Sequence, residues 1–244
     1  MRIAVLSDIH GNAAALQAVL AEARTLGAER LFVLGDLVGY YYHPAEALRL
    51  LEDWPVDMIQ GNHEAMLQSV RNGNLPAGEV RKKYGSGIDR ALTELDGPSL
   101  ARLLQLPEQT TVSLEGVSFA LCHGSPWDRD EYIYPDAPSA TLRRCADGAA
   151  DFVLLGHTHH PFVVGVNSVT VANAGSVGQA RNRSGCADWI LVDTSNRALV
   201  FQRTAYDASG IVSEVKSVDP HLPYLHEVLT GRRGTSPAII GERT

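Results

Sequence analysis

The stretch RIAVLSDIHGN, residues 2–12, decides the fold class of this chain. Its apolar run ends in a cluster of aspartate, histidine and glycine, and Asn12 offers an N-cap to a segment with apolar residues at helical spacing. Residues 31–34 are a further apolar run, residues 56–59 predict a third strand, and Pro44 opens a helical segment between them. The pattern predicts a β-α-β-α-β unit of parallel strands, whose carboxyl ends are the usual place for ligands.

The composition is that of an ordinary globular protein, with 244 residues of which 45% are apolar and 20% charged. The three cysteines are widely spaced and form no CxxC pair, which argues against a disulfide framework and a thiolate zinc site. No apolar run reaches the roughly 20 residues of a membrane span. We therefore expect a cytoplasmic protein without a membrane partner. The net charge of −7 argues against a broad nucleic-acid surface.

The rest of the chain changes character twice. Residues 62–106 predict a helical insertion, with one apolar stripe from Val80 to Leu95. Three hairpins follow, at residues 111–121, 162–172 and 189–203, and they predict a mostly antiparallel sheet in the second half. Two sheets with helices outside them would form a layered α/β sandwich. We expect one domain over residues 1–230 and a peripheral tail at 231–244.

Polar clusters punctuated by glycine follow the predicted strands. They are Asp8-Ile9-His10, Gly35-Asp36, Gly61-Asn62-His63-Glu64, Cys122-His123-Gly124 and Gly156-His157-Thr158-His159. Alternate residues of an extended segment point the same way, so Asp8 and His10 can converge on one metal ion. A single histidine after a strand is more often a core or surface residue than a ligand. Five of the nine histidines lie in these clusters, however, and that favours a metal site.

The clusters, in this order, resemble the calcineurin-like metallophosphoesterase superfamily. Further motifs resemble its small bacterial and archaeal phosphodiesterase branch: Gly35-Asp36-Leu37-Val38-Gly39-Tyr40, His123-Gly124-Ser125-Pro126 and Asn173-Ala174-Gly175-Ser176-Val177-Gly178-Gln179. The resemblance implies a four-layer α/β/β/α sandwich of two mixed sheets flanked by helices. It also implies two metal ions and the residues that hold them. By that resemblance the first ion is bound by Asp8, His10 and His159, the second by Asn62, His123 and His157, and Asp36 bridges both.

This donor set suits Mn, Fe, Zn, Ni or Co. Two divalent ions bring four positive charges, and two aspartates and a bridging hydroxide bring three negative ones. The net charge of the pocket is then about +1, which favours binding of an anion. We expect a two-metal phosphoester hydrolase that prefers small nucleotide or related phosphodiesters, by in-line attack of the bridging hydroxide. His63 and Asp36 are the candidate catalytic residues, with His63 protonating the leaving oxygen; a structural hydrogen bond is the alternative for His63.

Three residues are candidate substrate contacts: Asn12, Tyr40 and Arg181. Helix capping is the alternative for Asn12, and an ordinary exposed position is the alternative for Arg181. Two segments that follow ligand clusters, residues 40–43 and 127–134, are either walls of the site or ordinary loops.

The sequence leaves other activities open. They are a phosphomonoesterase, a protein phosphatase and a dinucleoside polyphosphate hydrolase. A non-catalytic scaffold on the same fold is the alternative from another class, and the complete set of ligand positions argues against it. The partner that we expect is a small phosphoester substrate, and the sequence does not decide whether the chain forms a homo-oligomer.

Overall fold

The computed structural model describes residues 1–148, 150–181 and 185–230. It confirms the opening unit as β1 (Arg2–Leu6), α1 (Ala13–Thr25), β2 (Arg30–Val33), α2 (Pro44–Leu51) and β3 (Val56–Met58). β1 pairs in parallel with β2, and β2 with β3. Asn12 caps α1, because its side chain accepts a hydrogen bond from the backbone N–H of Ala15.

Four helices occupy the predicted insertion: α3 (Asn62–Arg71), α4 (Ala77–Tyr84), α5 (Gly87–Glu94) and α6 (Gly97–Leu104). The stripe from Val80 to Leu95 is divided between α4 and α5, since the chain turns at Gly85, where φ is +82°. Val80 and Leu95 are nevertheless buried in one core cluster with apolar residues of α1 and of the first sheet. These helices cover the outer face of that sheet.

The second sheet contains β4 (Gln109–Leu114), β5 (Val117–Cys122), β6 (Phe152–Leu155), β7 (Phe162–Val166) and β8 (Val169–Asn173). Their order is β4-β5-β6-β8-β7, and α7 (Ser139–Cys145) lies between β5 and β6 in the chain. The prediction of a mostly antiparallel sheet is wrong. β6 lies between the two hairpins and pairs in parallel with β5 and with β8, so the sheet is mixed.

The third hairpin joins the first sheet instead of the second. β9 (Cys186–Asp193) and β10 (Ala198–Ala205) extend it in the order β10-β9-β1-β2-β3, with β9 antiparallel to β1. Two helices without a predicted counterpart follow, α8 (Ser209–Val218) and α9 (Tyr224–Thr230).

The two mixed sheets lie face to face with helices on both outer sides, which confirms the α/β/β/α sandwich. Among the described residues, no helix has the length and apolar character needed to cross a bilayer. The tail predicted at 231–244 lies outside the described residues. The assignment of residues 1–230 to one domain stays a prediction.

Phe119 tests the core between the sheets. Its ring packs on Phe32 and Phe152 at centroid distances of 5.3 and 5.2 Å. Phe119→Ala should lower the free energy of unfolding by about 3–5 kcal/mol, because it leaves a large cavity. The matched change at Phe201, whose side chain is 38% exposed, should cost less than about 1 kcal/mol. Urea denaturation measures both, and equal losses would contradict this placement of the core.

Candidate metal centre

The carboxyl ends of β1 and β2 present Asp8, His10 and Asp36 to one pocket. All three residues adopt left-handed backbone conformations, with φ of 54°, 51° and 54°. The alternation expected of an extended segment is therefore not what brings Asp8 and His10 together. Instead, the chain coils tightly and is held by backbone hydrogen bonds from Asp8 N–H to the Gly35 carbonyl (3.2 Å) and from His10 N–H to the Asp36 carbonyl (2.8 Å).

Asp8, His10 and His159 form the first donor group. His159 Nε2 lies 3.2 Å from Asp8 Oδ1 and 3.1 Å from His10 Nε2. The other Asp8 oxygen, Oδ2, accepts a hydrogen bond from His157 N–H at 2.9 Å, whereas Oδ1 is buried and has no hydrogen-bond partner among the described residues. The free oxygen and the two ring nitrogens thus converge on one point.

Asp36, His123 and His157 form the second donor group. His123 Nε2 lies 3.4 Å from Asp36 Oδ2 and 3.0 Å from Asn62 Oδ1. Asp36 Oδ2 also lies 3.8 Å from His10 Nε2 of the first group. Asp36 is therefore within reach of both groups, as the resemblance implies for a bridging residue.

The histidine rings are oriented by backbone carbonyls. The pairs are His10 Nδ1 with Val38 O (3.1 Å), His123 Nδ1 with Leu34 O (2.6 Å), His159 Nδ1 with Gln179 O (2.7 Å) and His157 Nε2 with Asp130 O (3.2 Å). A carbonyl oxygen only accepts, so each of these nitrogens carries a proton, and the other ring nitrogen is the one that can bind a metal ion. Without a cation, the lone pairs of His10 and His159 would face each other. The donor set therefore fits a metal ion.

Buried negative charge dominates the electrostatics of the pocket. Burial disfavours ionised Asp8 and Asp36, but the surrounding imidazoles hold the pKa of both carboxyls below its usual range. Burial also opposes protonation of His123, yet the two carboxylates outweigh it and raise its pKa to about 10. Burial lowers the pKa of His157 to about 4. Two carboxylates in a water-poor pocket favour binding of a divalent cation.

Glu64 is a further residue that shapes the site. It is fully buried, and its Oε2 accepts hydrogen bonds from Gly61 N–H (2.7 Å) and Asp36 N–H (2.8 Å). Its Oε1 accepts from the N–H groups of Leu37 (2.8 Å) and Val38 (3.2 Å). Burial and the Asp36 charge raise its pKa to about 7. Glu64 ties the loop after β2 to the loop after β3, and its capping-box position in α3 was the available signal.

His63 lies beside both donor groups, and its ring nitrogen forms a third possible group with His10 and Asp36. Its Nε2 is 4.0 Å from Asp36 Oδ2, and its ring centroid is 4.7 Å from that of His10. The hydrogen bond to a loop carbonyl that was the structural alternative is not seen, since His63 Nδ1 is buried without a partner among the described residues. A Cβ on Gly39, whose φ is +104°, would overlap this nitrogen, so the site requires glycine there.

The candidate substrate contacts occupy different places. Asn12 is buried, and its amide donates to the Gly178 carbonyl (2.9 Å) and to the Tyr206 hydroxyl (3.0 Å), which fits a supporting role. Tyr40 packs its ring against His10 at a centroid distance of 4.5 Å. Arg181 donates to the Tyr40 hydroxyl at 3.4 Å. Tyr40 and Arg181 therefore line the pocket together.

The two candidate wall segments differ. In residues 40–43, Tyr41 and Tyr42 are completely buried beneath α8 and α9, with the Tyr41 hydroxyl donating to the Leu225 carbonyl at 3.0 Å. These two side chains therefore support the loop from within and cannot form a wall of the site. In residues 127–134, the ring of Tyr132 lies against His157 with centroids 4.1 Å apart. Tyr132 of the second segment and Tyr40 of the first therefore both border the pocket.

Comparison with known proteins agrees with this geometry. The family model of the calcineurin-like phosphoesterase superfamily domain matches residues 1–197. This chain belongs to the calcineurin-like phosphoesterase superfamily. Within it, an uncharacterized protein of Methanocaldococcus jannaschii is 28% identical over 223 residues, which are 84% of this chain and 88% of that protein.

Solved structures from archaea and bacteria share the superfamily fold. A hypothetical protein of Pyrococcus horikoshii superposes with a TM-score of 0.78 at 22% identity, covering 93% of this chain and 97% of its own. A metallophosphoesterase of Sphaerobacter thermophilus superposes with a TM-score of 0.75 at 25% identity, covering 94% and 99% respectively. The similarity extends over nearly the whole of both structures.

Replacement of Glu64 tests its role in this superfamily member. Glu64→Gln puts an amide NH₂ against backbone N–H groups, so we expect the free energy of unfolding to fall by about 1–3 kcal/mol. We also expect metal affinity to fall by about 10- to 100-fold, because the Asp36 loop loses its support. Exposed Glu46 is the matched control, and Glu46→Gln should change neither quantity appreciably. Denaturation and metal titration measure the two effects; indistinguishable variants would contradict the assignment.

Proposed function

We propose that this chain is a two-metal phosphoester hydrolase that acts on small phosphodiesters. The observation that carries the proposal is the position of Asp36 Oδ2, which lies 3.4 Å from His123 Nε2 and 3.8 Å from His10 Nε2, between the two donor groups. Membership of the superfamily supports phosphoester hydrolysis as the reaction class. A single metal site would not need a carboxylate oxygen shared by two groups.

The donor atoms favour a transition metal. Asp8, His10 and His159 would hold one ion, Asn62, His123 and His157 the other, and Asp36 both. Nitrogen and carboxylate donors without thiolate suit Mn, Fe, Zn, Ni or Co. When bound, two such ions supply the Lewis acidity that activates water and polarises phosphoryl oxygens.

The residues around the donors orient a substrate anion. The Arg181 guanidinium, held at the Tyr40 hydroxyl, can pair with a phosphoryl oxygen. A diester carries one negative charge and matches a pocket of about +1. A phosphomonoesterase or a phosphoprotein phosphatase would be better served by a cluster of several cationic side chains, so the diester is the better match. The complete donor set likewise supports an enzyme over a scaffold.

His63 is the proposed general acid. Its Nε2 faces Asp36 Oδ2, which places the imidazole beside the position of a phosphoryl group held between the donor groups. The buried Nδ1 has no competing hydrogen bond among the described residues. The ring can therefore deliver a proton to the leaving oxygen without breaking a structural contact.

Adjacent histidines provide a matched test of metal binding. His159 belongs to the first donor group, whereas the half-buried His160 directs Nδ1 to the Thr158 carbonyl at 2.8 Å. After loading with Mn²⁺, His160→Ala should retain the wild-type metal content of two ions per chain, and His159→Ala should lose one of them. Elemental analysis of the desalted proteins measures the content. Two ions in both variants would remove His159 from the ligand set.

Loss of His63 should affect turnover more than metal content. His63→Ala should keep two Mn²⁺ ions and lose about 10²- to 10⁴-fold in kcat on alkyl phosphodiesters, with a smaller loss on aryl diesters whose leaving groups need no proton. The control is His43→Ala, which should keep the wild-type rate, because His43 belongs to neither donor group and pairs with Glu214 at 2.7 Å. Steady-state kinetics on aryl diesters and the corresponding monoesters also tests the diester preference. An unchanged rate would exclude His63 from the reaction.

A further inference from the structure

Two exposed tyrosines lie beside the donor groups, in the segment between β5 and α7. Tyr132 is 45% and Tyr134 38% exposed. Their rings are nearly parallel, with an interplanar angle of 13° and centroids 5.9 Å apart. Large aromatic side chains that stay in water beside a pocket are typical of a ligand-binding surface. We call this pair the tyrosine platform.

The tyrosine platform begins at the metal centre and extends toward solvent. The ring of Tyr132 lies 4.1 Å from that of His157, which belongs to the second donor group. Tyr134 lies farther out and contacts the ring of His160 at a centroid distance of 5.6 Å. A molecule with its phosphoryl group between the donor groups can therefore place a neighbouring planar ring on the platform.

The segment that carries the platform is held before any ligand binds. Ile133, between the two tyrosines, is 1% exposed and belongs to the core behind the second sheet. The backbone N–H of Asp128 donates to Ser125 Oγ at 2.9 Å. The Asp130 carbonyl faces His157 Nε2 at 3.2 Å. Because these contacts fix the segment, little ordering is needed when a ring stacks on it.

A cation lies near the donor groups. The Arg181 guanidinium donates to the Tyr40 hydroxyl at 3.4 Å, and the Tyr40 ring packs on His10 of the first donor group at a centroid distance of 4.5 Å. One ligand can thus meet a cation through its phosphate and an aromatic face through its ring. A net charge of −7 disfavours a long polyanion such as a polynucleotide.

We propose that the tyrosine platform binds the base of a nucleoside phosphoester by stacking. This assignment rests on the proposed hydrolase function and names its substrate class. Base stacking on an aromatic side chain typically changes affinity by about 5- to 100-fold. The effect falls on KM, because the same stacking is present before and during reaction.

The experiment compares two diesters that differ only in the base. They are the methyl diester of adenosine monophosphate and its abasic tetrahydrofuran analogue, assayed with the Mn²⁺-loaded enzyme. Wild type should prefer the adenosine diester by about 5- to 100-fold in kcat/KM. Tyr134→Ala leaves the contact between Tyr132 and His157 in place. It should raise KM for the adenosine diester and so bring the kcat/KM ratio of the two diesters toward one. Tyr132→Phe keeps the ring and should keep the ratio, whereas Tyr132→Leu should lose it.

Phe201→Ala is the control, since Phe201 is exposed to the same 38% as Tyr134 and lies on β10, the edge strand of the other sheet. It should leave the ratio at the wild-type value. Equal kcat/KM for the two diesters in wild type would overturn the platform. Equal losses on both diesters in Tyr134→Ala would do so as well, because they would show a supporting role only.

A measurement of ligand binding distinguishes failure of the tyrosine platform from failure of the proposed hydrolase function. If neither diester nor any aryl phosphoester is hydrolysed with any of the five metals, the hydrolase proposal fails. Calorimetric titration of the metal-loaded protein with adenosine monophosphate and with ribose phosphate then decides the platform alone. Tighter binding of adenosine monophosphate by wild type but not by Tyr134→Ala supports it, and equal affinities contradict it.

Discussion

Two buried carboxylates impose the constraint on which the rest of this structure depends. Asp8 and Asp36 each direct one oxygen to a backbone N–H, that of His157 at 2.9 Å and that of His63 at 2.8 Å, and turn the other toward imidazoles. Each carboxylate therefore both holds a loop and presents a donor. Because His157 follows a strand of the second sheet and Asp8 a strand of the first, this interaction joins the sheets at the same edge where the pocket opens.

The pocket is built from backbone that ordinary residues avoid. Asp8, His10, Asp36, His157 and His159 all have positive φ values between 51° and 65°. Non-glycine residues in this region cost on the order of 1–3 kcal/mol each unless the surroundings hold them there. The Glu64 carboxylate supplies part of that support through four backbone N–H groups. The strained residues thus lie where the chemistry is proposed to occur. Packing of the two sheets behind them offsets the conformational free energy.

Some expectations depended on local pattern, and these agree with the structure to within a residue or two. The Asn12 cap, the Pro44 helix start and the strand at residues 31–34 are examples. Expectations about how distant segments pair were less accurate. The β9–β10 hairpin was expected in the second sheet and lies in the first, because a hairpin pattern carries no information about which sheet edge it meets. The buried positions of Tyr41 and Tyr42 likewise depend on α8 and α9.

The sequence by itself determined the chemical types of the site residues and the strand ends that carry them, since carboxylate and imidazole donors and turn-forming glycines can be read directly from the order of residues. Only the tertiary structure decided how close the donor atoms lie to one another, which nitrogen of each histidine faces a carbonyl, and that Tyr132 and Tyr134 lie beside the site. The physical reason is distance. His10 and His159 are far apart in the chain but have ring nitrogens 3.1 Å apart, and only the packing of two sheets brings them together.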